Sequence, residues 1–126
     1  MNFKEILIGI FIFLSLTLNF DFVYGDFDNL SHHSIYVLYF AIVVNIIGTI
    51  LKIGDRTKIG SILVATSIVA LIQLVFAGLI WSYYENFTIG VSDSNIFNVV
   101  SMASGALVAN FLSVMILIID TSRIKR

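Results

Sequence analysis

Leu51-Lys52-Ile53-Gly54-Asp55-Arg56-Thr57-Lys58-Ile59-Gly60 is the stretch on which the fold turns. It lies near the middle of the chain, has a long apolar run on either side, and holds three of the seven Lys and Arg residues. A basic cluster between two apolar runs reads as a loop retained on the cytoplasmic side of a membrane. Gly54 is suited to the left-handed conformation that ends a helix, and Lys52 to the negative end of that helix's dipole. Asp55 is suited to cap the helix that follows. The runs on either side are thus expected to form an antiparallel helical hairpin.

Working outward, the run over residues 34–53 has no charge before Lys52, and the run over residues 59–84 has none beyond Lys58. Two further apolar runs cover residues 6–24 and 96–119. Each approaches or exceeds the roughly 20 residues needed to cross a hydrocarbon core. The first run also has the outline of a signal peptide, with Lys4 ahead of it and Val23-Tyr24-Gly25 as a cleavage site; its length and the crowding Phe20 and Phe22 favour a span. Composition agrees. The chain is 59% hydrophobic and 12% charged, whereas a soluble domain needs a surface with about 25–35% charged residues. Cysteine and proline are both absent, which removes disulfides and thiolate metal sites, and seven basic against eight acidic residues give no reason to expect nucleic acid. The expected fold is an all-α membrane protein, a bundle of four transmembrane helices forming one unit over residues 1–126.

Charge orients the bundle. With the N-terminus inside, Lys4, Lys52, Arg56, Lys58, Arg123, Lys125 and Arg126 all fall on one side, while the opposite loops carry Asp21, Asp26, Asp28, Glu85 and Asp93. Both termini are expected in the cytoplasm. Tyr24, Tyr36, Tyr39, Trp81, Tyr83 and Tyr84 gather at the outer ends of the first three spans and read as an interfacial belt.

Inside a bilayer, small residues let helices approach and polar side chains bond across the contact. Ser101, Gly105, Ala109 and Ser113 recur at every fourth position of the last span and read as a packing seam, within the bundle or against a second copy. Each span carries an amide, namely Asn19, Asn45, Gln73 and Asn110. Bonding between helices is the simpler reading; the sharper one has Asn45 and Gln73, with Thr49 and Thr66, lining a polar path for an ion or small solute. No acidic or basic residue falls at mid-membrane depth and no proline breaks a span, which disfavours proton-coupled transport. Asp26 to His33 contains residue types of a metal site or pH sensor, yet adjacent histidines seldom converge on one ion, so His32 and His33 read as a solvated loop. The pattern Asn86-Phe87-Thr88 is assigned no role. No metal, cofactor or catalytic set is expected.

Leu16-Thr17-Leu18-Asn19-Phe20, Tyr24-Gly25-Asp26, His33, Val44-Asn45, and the central stretch from Leu51 to Thr57 running into Ala65-Thr66-Ser67 carry a resemblance over nearly the whole chain. They resemble a family of short four-span bacterial inner-membrane proteins classed only as a domain of unknown function. The resemblance implies the fold and no activity; it also suggests an association with potassium-uptake systems. Small multidrug exporters have a similar layout, but they use a membrane-embedded glutamate where the first span here has only Glu5 at its start. The expected function is therefore a non-enzymatic accessory or assembly subunit of an inner-membrane complex. Its partners would be the lipid bilayer and either another membrane protein or copies of itself. The alternative is a small homo-oligomeric passive channel.

Overall fold

In hydrocarbon, every backbone N–H and C=O must find a partner within the chain, which leaves helices as the solution for isolated apolar runs. The computed structural model describes residues 3–54 and 58–124 and has four long helices: α1 (Phe3–Val23), α2 (Ile35–Lys52), α3 (Lys58–Phe87) and α4 (Ile96–Ile124). A short 3-10 turn, Leu30–His32, precedes α2. All four helices are long and apolar enough to cross a membrane, as in a multi-pass membrane protein. Arg56, Lys125 and Arg126 lie outside the described residues, as does the side chain of Arg123.

Packing runs around the bundle in chain order. The contact between α3 and α4 is the most extensive; α1 packs on α2, α2 on α3, and α4 closes the ring against α1. A Cβ placed on Gly54 would lie 3.7 Å from Lys4 Nζ, so the start of α1 sits beside the central turn. We call this the turn end; the two longer connections form the loop end. The core is built largely of alanine. Ala41, Ala70, Ala77, Ala103 and Ala106 are wholly buried, among Leu38, Leu74, Val99 and Val100. Such residues let helix backbones come close where water exclusion supplies no driving force.

The helices differ in detail from the expected spans. α3 continues through Glu85 to Phe87 and α4 beyond Asp120 to Ile124. At 1.5 Å per residue a helix as long as α3 reaches about 45 Å, more than the roughly 30 Å of hydrocarbon. Its ends can therefore carry charge outside the apolar layer without breaking the helix. Gly54 does not take the expected left-handed conformation: among the described residues only Gly25 and Gly90 have positive φ. Instead α2 ends at Ile53 in right-handed geometry, with its N–H donating to Ile50 O at 3.3 Å. Asp55, the expected cap of α3, lies outside the described residues.

Candidate functional site

The chemistry of this chain lies in the polar groups that the bundle encloses. At the end of α2, Lys52 is buried and its Nζ donates to Ser67 Oγ on α3. The four-carbon stem is long enough to bring the ammonium back between the helices, a direction that its reading as a topology determinant did not specify. Lys58, by contrast, is exposed at the start of α3. One residue before Ser67, Thr66 faces the other way and its Oγ1 lies 2.5 Å from Ser113 Oγ on α4. Consecutive residues on a helix are about 100° apart, as 3.6 residues per turn requires, so α3 reaches α2 through Ser67 and α4 through Thr66. Asn110 is buried one turn before Ser113, on the same side of α4.

The amides do not behave as the simple reading expects. Asn45 is buried, but its Nδ2 donates to Ala41 O on its own helix at 2.8 Å, and Thr49 Oγ1 donates to Asn45 O at 2.7 Å. Neither Asn19 Nδ2, Asn19 Oδ1, Gln73 Oε1 nor Asn110 Nδ2 meets a hydrogen-bonding partner. Among the described residues, Lys52 to Ser67 and Thr66 to Ser113 bond between helices inside the bundle, and at the loop end the Asn98 amide donates to the Tyr84 hydroxyl at 2.9 Å. The proposed polar path is likewise not one lining: Asn45 and Thr49 bond within α2, whereas Gln73 and Thr66 lie at the α3–α4 contact.

That contact also locates the seam. A Cβ on Gly105 would meet Gln73 Oε1 at 2.9 Å and Nε2 at 3.0 Å, so the missing side chain makes room for the amide of α3. Ser113 reaches Thr66 two steps further along the seam, and Ala109 between Gly105 and Ser113 is buried. Ser101 is half-buried, with its carbonyl accepting from Ser104 Oγ at 2.7 Å. The seam is therefore occupied by α3 of the same chain. The most deeply buried line on α4 is offset from it and runs through Ile96, Val99, Ala103 and Ala106.

The loop end is closed. His33 is buried, with Nδ1 2.6 Å from Phe22 O and Nε2 2.7 Å from Asp26 O, which corrects its reading as part of a solvated loop. His32 accepts from the Asp26 N–H at Nδ1, 2.8 Å away. Gly25 has φ of +108°, and a Cβ there would fall 2.7 Å from His32 Nδ1, so the turn needs glycine on both counts. Asp93 joins the two long connections by accepting from the Leu30 N–H at 2.9 Å, and Phe27 packs on Phe97 with ring centres 6.0 Å apart. Below them, wholly buried Phe22 touches both His33 and Trp81. Trp81 thus belongs to the core, while Tyr24, Tyr36, Tyr39 and Tyr83 stay exposed as an interfacial belt would be. Asp21 is exposed at the end of α1.

The contacts of Ser67 and Asp93 and the inward turn of His33 went unread in the sequence. Ser67 follows directly on Thr66, and a hydroxyl pair in an apolar run is the signal that would have found it. The direction of a lysine side chain leaves no such trace. Among the described residues, no group of three His, Cys, Asp or Glu side chains converges as a metal site would require.

The chain belongs to a family of unknown function, DUF6394, whose profile matches residues 32–121. No curated protein and no solved structure matches it.

Proposed function

We propose that this member of the family is a non-enzymatic accessory or assembly subunit of a bacterial inner-membrane complex, with both termini in the cytoplasm. The observation that carries this reading is the direction of the polar groups. Asn19, Asn45, Thr49, Ser67, Asn110 and Ser113 are all buried, leaving an exterior dominated by Ile, Leu, Val and Phe, with the Thr17 hydroxyl turned back onto Leu14 O of its own helix. An active site open to water has little place in such a molecule, since its loops are short and tied to each other. What it offers its surroundings is surface. An ion-uptake system, potassium first, is the complex to examine, on the resemblance noted above.

The alternative, a homo-oligomeric channel, requires polar groups facing an axis shared between copies. Asn45 and Gln73 face their own bundle, and Phe22, Trp81 and His33 block its loop end. The decisive experiment is the native mass of tagged protein extracted from its own membrane in mild detergent. A second polypeptide at fixed stoichiometry is the expected outcome and would identify the complex. A pure homo-oligomer that passes ions in liposomes, with flux abolished by Asn45→Leu and Gln73→Leu together, would overturn the proposal in favour of the channel.

A further inference from the structure

We propose that the groove between α1 and α4 at the turn end binds one glycerophospholipid from the leaflet on that side, with an acyl chain lying along Gly9. The groove has a volume of about 530 Å³, with Gly9 and Phe13 on one wall, Leu117 and Ile118 on the other, and Thr121 and Ser122 at its mouth. Its polarity changes along its length as a phospholipid's does. The Thr121 and Ser122 hydroxyls and the Glu5 side chain stand at the end nearest water, at the depth of ester and headgroup, and only hydrocarbon lines the end toward the middle of the membrane.

Length selects the occupant. Along α1 the lining runs from Glu5 to Phe13, about 12 Å at 1.5 Å per residue, close to half of the roughly 30 Å hydrocarbon core. A transmembrane helix would need a groove running the full depth; a lipid of one leaflet needs only this much. Gly9 points the same way. It lies inside α1, where glycine is a poor helix former, and a Cβ placed on it would find nothing within 4 Å. The missing side chain serves no helix-to-helix approach within the chain, unlike Gly105, and its effect is to leave the groove open.

Native mass spectrometry of the full chain, released from mild detergent, tests the proposal. The expected result is a population carrying one added phospholipid mass per chain, reduced at least tenfold in Gly9→Leu, whose side chain enters the open space. A Thr121→Ala, Ser122→Ala double variant should lose part of it. Unchanged retention in a helical, monodisperse Gly9→Leu protein would overturn the assignment. So would a dimer, free of lipid, that dissociates in that variant, because the groove would then belong to a second copy. If Gly9→Leu does not fold, Gly9→Ala decides by the same readout, with partial loss expected and full retention contrary. None of these outcomes depends on whether a second polypeptide accompanies the chain.

Discussion

His33 meets two acceptors and no donor. Both ring nitrogens lie on backbone carbonyl oxygens, of Phe22 and Asp26. Through this one side chain the end of α1 is tied to the start of α2. His33→Ala would leave two carbonyls without that donor in a buried place. It is expected to cost about 3 kcal/mol, seen as a lower unfolding temperature in detergent. His33→Gln, which has one amide NH2 and reaches a single carbonyl, should recover about half of that; equal loss in both variants would mean that ring packing on Phe22 matters rather than the bonds. Lys52 raises the opposite issue, a buried cation with a hydroxyl as its partner. Replacing a buried charge by an apolar side chain of similar size is often neutral or stabilising, so Lys52→Met is expected to hold or raise the unfolding temperature. Ionisable groups enclosed in a membrane are functional candidates. A Lys52→Met protein that is stable but fails to support its complex in cells would place Lys52 in the working machinery.

Among the elements, α3 and α4 form the structural centre, and their contact shows what a membrane sequence discloses. Four spans were legible because length and apolarity alone define them. Which face of each span points inward was legible only where small residues marked it, as along Gly105, Ala109 and Ser113. In a water-soluble bundle polar residues line the outside and reveal the inside by contrast; here the lipid-facing side is as apolar as the core. Trp81 illustrates the difficulty. Its position near a span end fits an interfacial belt, yet the indole lies in the core against Phe22. Spacing gave the amides a depth and not a partner: Asn45 donates within its own helix, and Gln73 lies against Gly105. Gly105 offers a direct test of the contact. A Cβ there would sit 2.9 Å from Gln73 Oε1, so Gly105→Val must displace the amide or part the helices. A loss of about 2 kcal/mol is expected, measured by unfolding in mixed micelles. Gln73→Ala in the same chain should restore most of it, since it removes the group that the new side chain strikes; absence of rescue would mean that the contact is set by backbone approach alone.

For the whole molecule, the arrangement of helices and the distribution of charge carry separate information that converges. The start of α1 lies beside the central turn, and four successive antiparallel helices return the chain to that same end. In the sequence, Lys and Arg fall only in the N-terminal start, the central stretch and the C-terminal tail, and the two opposite connections have none. The fold makes the two ends distinct, and in the orientation we propose the charge bias selects which of them faces the cytoplasm. Since Lys52 is folded inward, it adds little to that selection once the bundle has formed, although it precedes the turn during insertion. Lys4, Arg56, Lys58 and the tail should therefore suffice. Reporters fused to the two termini are expected to give the same cytoplasmic reading in the native chain and in Lys52→Met. Exchanging Lys4, Arg56 and Lys58 for glutamate, with lysine placed at Asp26, Asp28 and Asp93, reverses the bias carried by the short loops on which orientation depends. Mixed or inverted reporter signals should follow. If that variant keeps a single native orientation, the tail of Arg123, Lys125 and Arg126 governs insertion, and the central turn has lost the directing role its charge suggests.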